Sequence, residues 1–127
     1  MNSPTVPCPF CALSQRQMLA ENEYALAFYD GFPVSPGHVL VVPRRHCSDF
    51  FELSPLEQIS CIDLLNQCRA LLISERKPNG FNIGVNVGEA GGQTIFHAHL
   101  HLIPRYLGDV ENPRGGVRGV IPSKRDY

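Results

Sequence analysis

Apolar residues recur at helical spacing in one long segment and at strand-like spacing in several shorter ones. The helical segment begins at Ser54, because Pro55 and Glu57 follow this serine and complete an N-cap, a proline at the first helical position and a capping glutamate. Its predicted core-facing stripe comprises Leu56, Ile59, Ile62, Leu65 and Leu72, with Cys61, Leu64, Cys68 and Leu71 beside them. The break at 78–80 ends this long helix.

Strand patterns occupy residues 24–30, 38–42 and 81–88, and a turn at Pro36-Gly37 precedes the second of them. Residues 10–20 are predicted to form a short helix. Because the long helix is segregated from strands that short turns connect, the pattern favours an α+β domain with an antiparallel sheet over a doubly wound fold.

A fourth alternating segment is unusual, since histidines occupy every second position at His97, His99 and His101. The residues between and beside them, Phe96, Ala98, Leu100 and Leu102, are all apolar. In a strand this alternation places the three imidazoles on one face and the apolar side chains on the other. Imidazole is a common nucleophile, general acid or metal ligand, so we predict a functional strand.

Composition limits the classes of partner. The 127 residues suffice for one domain, residues 1–127, and a formal net charge of −1 argues against nucleic-acid binding. No apolar run is long enough to cross a membrane, and five cysteines without disulfide-framework spacing suit a reducing compartment. We therefore expect a cytoplasmic protein with a small-molecule ligand, without nucleic-acid or membrane partners.

The histidine run follows a loop with Gly91 and Gly92, which permit close backbone approach to a ligand, and with Gln93 and Thr94, which supply an amide and a hydroxyl. Together these groups suit the binding of phosphate oxygens. A neutral imidazole can attack phosphorus while its neighbours protonate a leaving group.

Metal binding is a second possibility. All three histidines could bind one catalytic zinc, or Cys8 and Cys11 could form a Cys₂His₂ site with His46 and one histidine of the run. A redox role for the two cysteines is the alternative, although no thioredoxin-like βαβ pattern surrounds them.

The segments GQTIFHAHLHLIPR, CPFC, YALAFYD, PGHVLVVPRRH and FNIGVNVG, in chain order around the long helix, resemble the histidine triad superfamily over residues 8–106. This resemblance implies an antiparallel sheet of about five strands with one long helix. It also implies a homodimer with a continuous sheet, in which the helix and the following strand form the interface.

The resemblance assigns roles to individual positions. It implies that His99 attacks the α-phosphate of a nucleotide, that His101 and His38 bind phosphate and assist the leaving group with Thr94 and Asn86 nearby, and that the backbone carbonyl of His97 orients His99. Substrate contacts are implied for Asp30 at the ribose, for Phe10, Phe28 and Leu40 at the base, and for Gln93 in the loop.

A zinc site also follows from the resemblance. Related uridylyltransferases and small bacterial members hold zinc with residues that correspond to Cys8, Cys11, His46 and His97. Because all four ligands would come from the protein, the zinc is expected to be structural. No organic cofactor is expected.

The third histidine distinguishes branches of the superfamily, since the transferase branch carries glutamine where this chain has His101. Hydrolysis of purine nucleoside phosphoramidates or dinucleoside polyphosphates is therefore the leading expectation; the alternatives are nucleotidyl transfer and a nucleotide-binding scaffold. The glycine- and proline-rich arm, residues 107–127, is predicted to be irregular and differs from the short tryptophan-containing tail of the phosphoramidase branch.

Overall fold

A computed structural model describes residues 8–13 and 18–127, which form five strands and one long helix. The elements are β1 (Met18–Glu21), β2 (Ala25–Tyr29), β3 (Val39–Pro43), α1 (Pro55–Arg76), β4 (Gly80–Val85) and β5 (Leu100–Arg105). All strand pairs are antiparallel, in the order β1-β2-β3-β5-β4. The predicted α+β architecture is confirmed. Within the described residues, no helix is long and apolar enough to cross a membrane.

The start of α1 agrees with its sequence signal. The Ser54 side chain accepts a hydrogen bond from the Glu57 backbone N–H at 3.1 Å, and the Glu57 carboxylate accepts one from the Ser54 N–H at 2.9 Å. At the other end Lys77 adopts a left-handed conformation with φ 49°, and its N–H donates to the Ile73 carbonyl. Pro78 then prevents the helix from continuing.

Part of the predicted core stripe of α1 is wrong. Leu56, Ile59 and Ile62 are 52, 57 and 46 % exposed, and Leu71 is also exposed. The helical residues that pack against the sheet are Cys61, Leu64, Leu65, Cys68 and Leu72. An apolar row at helical spacing cannot show whether it meets the chain's own sheet or another surface.

The two faces of the sheet carry different side chains. On the face covered by α1 lie Ala25, Ala27, Val39, Val41, Leu100 and Leu102, all in one core with the helix. The register places Phe28 beside Leu40, Leu40 beside His101, and His101 beside Gly84. Because strand side chains alternate faces, this second row, which includes His101, lies on the face of the sheet away from α1.

The turn before β3 requires its glycine. Gly37 has φ +89°, and a Cβ there would lie 2.9 Å from Leu72 Cδ2 and 2.8 Å from Arg76 Cδ. The turn thus packs tightly against the last turn of α1 and delivers His38 to the start of β3.

Two predicted elements differ from the structure. Residues 18–20 of the helix predicted over 10–20 lie in β1, and residues 9–11 form a turn, while residues 14–17 lie outside the described residues. The histidine segment is only partly a strand: β5 begins at Leu100, so His97 and His99 precede it and His101 alone belongs to it. Hydrogen bonds to the backbone carbonyls of Pro43 and His97 orient the rings of His97 and His99, respectively.

The C-terminal arm, residues 107–127, is more regular than predicted. Two short 3-10 helices, Gly116–Val120 and Pro122–Lys124, fold beside β4 of the same chain. Its start is fixed by the Leu107 N–H, which donates to Asn79 Oδ1 at 2.9 Å, and by Asp109, which pairs with Arg105 at 2.8 Å.

Candidate active site and metal centre

Four side chains from three parts of the chain form one cluster of metal-binding atoms. Cys8, Cys11, His46 and His97 each offer one atom, and these atoms all lie within 4.8 Å of one another. The Cys8 Sγ lies 3.4 Å from His97 Nδ1, and the Cys11 Sγ lies 3.3 Å from His46 Nδ1. These spacings suit neighbouring ligands of a tetrahedral zinc ion.

The tautomer of His97 supports that assignment. Its Nε2–H donates to the Pro43 carbonyl at 2.8 Å, so in the neutral ring Nδ1 carries the lone pair and faces both cysteines. Such a hydrogen bond on the far nitrogen is the usual second contact of a metal-binding histidine. Burial and the adjacent Cys8 thiol raise the pKa of Cys11 to about 11. A bound cation would reverse that effect, because zinc stabilises the thiolate.

His99 has the opposite nitrogen free. Its Nδ1–H donates to the His97 backbone carbonyl at 2.8 Å, which leaves the Nε2 lone pair available. The ring is 7 % exposed and packs edge-on against Phe10, with ring centroids 5.0 Å apart. This geometry presents an oriented imidazole with an available lone pair, as a nucleophile requires.

His38 and His101 form a directed hydrogen-bond chain. His38 Nδ1 accepts from the Val34 backbone N–H at 3.1 Å, so the proton of the neutral ring lies on Nε2. This Nε2–H donates to His101 Nδ1 at 2.9 Å, and neutral His101 therefore carries its own proton on Nε2. His101 is thus prepared to donate a proton or a hydrogen bond.

Burial keeps these two rings neutral. It lowers the pKa of His38, an effect that the Asp30 carboxylate partly opposes. Burial, followed by the neighbouring His99 and His38, lowers the pKa of His101 to about 4. Both imidazoles are therefore uncharged at neutral pH, as the hydrogen-bond chain requires.

Asp30 lies at the end of β2 beside this chain. One carboxylate oxygen accepts from the Phe32 N–H at 2.9 Å, and the other lies 3.5 Å from His38 Nε2. The sequence-based assignment of Asp30 to ribose did not anticipate its contact with His38.

A cavity of about 460 Å³ opens on the histidine face of the sheet. Its walls bring together most of the predicted nucleotide contacts: Phe10, Phe28, Asp30, Leu40, Thr94, His99 and His101. Aromatic and aliphatic groups form one part of this wall, and the two imidazoles with Asp30 form another. Such a combination suits a base, a ribose and a phosphate.

Gln93 is placed differently from the prediction that it contacts substrate. Its side-chain N–H groups donate to the carbonyls of Ser48 at 2.7 Å and Ile95 at 3.1 Å, and its oxygen accepts from the Gly88 N–H at 2.9 Å. It is only 4 % exposed. Gln93 therefore holds the loop that presents Thr94 to the cavity.

A second cavity, of about 480 Å³, lies on the other side of His101. Asn86 and His38 line it, together with β4 and with Gly116, Val117, Gly119 and Val120 of the C-terminal arm. Sequence reasoning did not identify this cavity, because nothing in the arm's composition indicates where the arm lies.

Sequence reasoning also missed the acceptors and donors that orient the histidines. The Pro43 carbonyl and the Val34 N–H are backbone groups, so their residue types carry no signal of the role. Only the family resemblance, through the segment PGHVLVVPRRH, placed His38 near the site.

Comparison with known proteins identifies the family. The HIT domain model matches residues 13–108. This chain belongs to the HIT domain family. The HIT domain core therefore includes every strand and α1, whereas most of the C-terminal arm lies beyond the match.

Two relatives show the range of this HIT family. The chain is 40 % identical over 106 residues to the uncharacterised HIT-like protein MG132 of Mycoplasma genitalium, covering 80 % of this chain and 75 % of the relative. It is 32 % identical over 115 residues to the AP-4-A phosphorylase of Mycobacterium tuberculosis, covering 85 % of this chain but only 59 % of that protein.

Solved HIT structures share the fold. A HIT family protein from Bacillus anthracis has 41 % identity and a TM-score of 0.70, with 73 % of this chain and 66 % of that chain covered. A zinc-bound histidine triad protein from Mycobacterium smegmatis has 31 % identity and a TM-score of 0.69, covering 75 % and 69 %. The diadenosine triphosphate hydrolase of Plasmodium falciparum has 27 % identity and a TM-score of 0.68, covering 79 % and 68 %.

These relatives support nucleotide hydrolysis or nucleotidyl transfer as the general class of activity. The zinc-bound relative and the cluster of two cysteines and two histidines are both compatible with zinc.

Proposed function

We propose that this protein hydrolyses purine nucleotides at the α-phosphate through a covalent nucleotidyl intermediate on His99, and releases a nucleoside monophosphate. The observation that carries the proposal is the hydrogen bond from His99 Nδ1–H to the His97 carbonyl, which leaves Nε2 as the free nucleophilic nitrogen. His99 lines the same cavity as Asp30 and the aromatic residues, so a bound nucleotide can place its phosphate against this nitrogen.

The reaction has two displacements. The His99 Nε2 lone pair forms a bond to phosphorus while the bond from phosphorus to the leaving nitrogen or oxygen breaks; the leaving atom accepts a hydrogen bond from His101 Nε2–H and takes its proton from solvent. Water then attacks phosphorus, the bond to His99 breaks, and the proton released by water passes to solvent. His38 holds neutral His101 in the required tautomer throughout.

The contacts expected of the remaining residues follow from the cavity. Asp30 is proposed to accept hydrogen bonds from the ribose hydroxyls, and Thr94 to donate to a phosphate oxygen. The base is proposed to lie between Phe10, Phe28 and Leu40, whose rings and side chain line the same cavity. Purine stacking against Phe10 and Phe28 suits this arrangement.

The stereochemistry at phosphorus tests the mechanism without requiring the intermediate to accumulate. Two in-line displacements give net retention with a substrate that is chiral at the α-phosphorus, whereas direct attack by water gives inversion. Rapid quenching in alkaline denaturant with α-labelled substrate should also give label on the wild type that acid releases, and none on His99→Ala. Inversion, or label on the variant, would contradict the proposal.

The acceptor is the second point to test, because one relative is named a phosphorylase. With diadenosine tetraphosphate in phosphate buffer, transfer to water gives AMP, and transfer to orthophosphate gives ADP. We expect AMP. A protein that binds AMP but turns over neither phosphoramidates nor dinucleoside polyphosphates would instead be a nucleotide-binding module.

We also propose that Cys8, Cys11, His46 and His97 bind one structural zinc per chain. The four protein ligands leave no coordination position for a reacting water. His97 is also in the tautomer with a free Nδ1, which zinc binding at that nitrogen requires. Bound zinc would supply a cross-link between the N-terminal CPFC turn, the segment after β3 and the histidine run. Free thiols at all five cysteines are consistent with the reducing cytoplasm.

A homodimer is the proposed assembly. Leu56, Ile59 and Ile62 form an exposed apolar row on α1, and Ile83 on β4 is 53 % exposed. In the described part of the chain β4 pairs with β5 alone, so its other edge is open for a second copy. Sedimentation should give twice the chain mass for the wild type and a shift toward monomer for Ile59→Asp; a wild-type monomer would exclude the dimer.

A further inference from the structure

We propose that the cavity between β4 and the C-terminal arm accepts an uncharged, apolar leaving group, and that the arm of the same chain selects it. The inference rests on the proposed function, because it concerns the group that departs when His99 attacks phosphorus.

The position of His101 separates the two halves of a substrate. His101 lines both the 460 Å³ cavity, which contains His99, and the 480 Å³ cavity beside the arm. In the sheet, its neighbour on the first side is Leu40 and its neighbour on the second is Gly84. A leaving group that accepts a hydrogen bond from His101 Nε2–H therefore departs into the second cavity.

The walls of that second cavity are mainly apolar. Val34, Ile103, Val117 and Val120 contribute aliphatic side chains, and residues 83–85 of β4 also line it. Its polar side chains come from Asn82, Asn86 and the neutral His38 and His101, and within residues 8–13 and 18–127 no lysine or arginine lines it. A departing polyphosphate carries several negative charges and needs cationic partners, which this lining does not provide.

The arginines of the arm are engaged elsewhere. Arg114 and Arg118 lie over the Tyr127 ring, 5.0 and 4.7 Å from its centroid. Arg118 also donates to the backbone carbonyls of Lys124 and Arg125 at 2.7 and 3.1 Å. These contacts hold the guanidinium groups within the arm, away from the apolar cavity.

Short contacts place the arm on its own sheet. Arg105 joins the end of β5 to Asp109 at 2.8 Å and to Asn82 Oδ1 at 2.6 Å. Gly116 has φ +48°, and a Cβ there would lie 3.2 Å from Asn82 Nδ2. Glycine at this position therefore allows the arm to approach β4 closely and to close the cavity in cis.

Two residues allow the cavity to be changed without touching the nucleophile. Gly84 lies beside His101, and a Cβ built there meets no other atom within 4 Å, so Gly84→Val fills the cavity while keeping a residue that favours strands. Val120→Asp instead adds a charge to the arm side. Ile121→Asp is the matched control, because Ile121 is exposed on the same arm but does not line the cavity.

The experiment compares two substrates with the same AMP half: adenosine 5′-phosphoramidate with naphthylmethylamine as leaving group, and the unsubstituted phosphoramidate. We expect Gly84→Val and Val120→Asp to lower kcat/KM about tenfold for the naphthyl substrate and less than about twofold for the unsubstituted one. Ile121→Asp should change neither. Val120→Lys should raise kcat/KM for diadenosine tetraphosphate, since it supplies the missing cation.

The outcomes separate this inference from the proposed function. Equal losses on both phosphoramidates would overturn the inference alone, whereas no turnover of any of the three substrates by the wild type would overturn both. Mixing His99→Ala with Val120→Asp subunits tests the cis arrangement. Recovery of naphthyl-substrate activity in the mixture would show that the arm acts on a partner's site and would overturn the assignment to its own chain.

Discussion

The two ends of the histidine run use the same side chain with opposite nitrogens free. At the proposed metal-binding end, His97 donates from Nε2 to the Pro43 carbonyl and presents Nδ1 to the cysteines. At the proposed catalytic end, His99 donates from Nδ1 to the His97 carbonyl and presents Nε2. A backbone carbonyl selects the tautomer in each case, and the tautomer decides whether the ring suits a metal or a phosphate.

His97 belongs to both ends of the run, but it contributes a different group to each. The His97 ring belongs to the cysteine cluster, and its backbone carbonyl orients the nucleophile. Loss of zinc should therefore affect catalysis only through the position of that carbonyl, and loss of the nucleophile should leave the metal in place.

The largest difference between the effects on catalysis and on zinc binding is expected for His99→Ala. We expect kcat to fall by about 10⁴-fold or more, because no other group would supply the covalent path. Zinc content, measured by elemental analysis, should remain about one per chain. Loss of zinc from this variant would mean that the two ends are not independent.

Cys11→Ser tests the metal-binding end. It should release zinc and lower the free energy of unfolding by about 4 kcal/mol at a metal concentration about 1,000 times Kd. Cys68→Ala is the control, because this thiol is fully buried against the sheet and its loss should cost packing but retain the metal. If wild type contains no zinc and Cys8→Ser leaves stability unchanged, the metal site is refuted.

The hydrogen bond between His38 and His101 should affect the pH dependence of kcat/KM. Because the pKa of His101 is lowered to about 4, the part of the acid limb of kcat/KM that reports protonation of His101 should lie near pH 4. His38→Ala should lower kcat/KM about 10²-fold and raise the pKa of that limb, while His38→Gln, which keeps a donor, should retain more activity. An unchanged limb in His38→Ala would argue against the coupling.

The same lowered pKa has a consequence for stability. The unfolded imidazole takes up its proton near pH 6.5, whereas folded His101 does so only near pH 4. The free energy of unfolding should therefore decrease as the pH falls from 6.5 to 4, and chemical denaturation at several pH values measures this decrease.

The smallest effect on zinc affinity and on the free energy of unfolding is expected for Glu57→Gln, which weakens the contact with Arg45 beside the proposed metal ligand His46. Glu57 pairs with Arg45 at 2.9 Å, next to the metal ligand His46, and completes the helix cap. The substitution should lower zinc affinity about tenfold and the free energy of unfolding by about 1 kcal/mol. Glu52→Gln, at a neighbouring exposed carboxylate, should change neither.

The pH dependence of that variant has a defined sign. Arg45 and the Ser54 N–H hold the pKa of Glu57 at about 2, below its usual value near 4.5. The stability it contributes is fully present above pH 4.5 and is lost as the pH falls through 2, so wild type and Glu57→Gln should converge there. Equal differences at pH 7 and pH 2 would contradict this account.

Local sequence signals predicted the parts of the fold that depend on neighbouring residues. Ser54, Pro55 and Glu57 marked the start of α1 because capping is a contact between residues three positions apart. The apolar row at Leu56, Ile59 and Ile62 misled, since helical spacing shows that a face is apolar but not what covers it. The helix predicted over 10–20 failed at β1, where pairing with β2 decides the conformation.

The candidate site was predictable only with the help of the family resemblance. Cys8 and His97 are 89 residues apart, and nothing local to either indicates their contact. Ligand types suggested a site of Cys8, Cys11, His46 and one histidine of the run, the resemblance singled out His97, and the structure places these four side chains in one cluster. The cavity formed by the arm had no such guide, because the family match ends at residue 108.

By itself, the sequence determined that three imidazoles alternate with apolar side chains, that a capped helix begins at residue 55, and that two cysteines stand in a CPFC turn. Tertiary structure alone decided which nitrogen of each imidazole is free. The hydrogen-bonded nitrogen is fixed by the Pro43 carbonyl in His97, by the His97 carbonyl in His99 and by the Val34 N–H in His38, and His38 in turn fixes His101. Nearly every residue offers such backbone groups, so only the folded chain reveals which one is near.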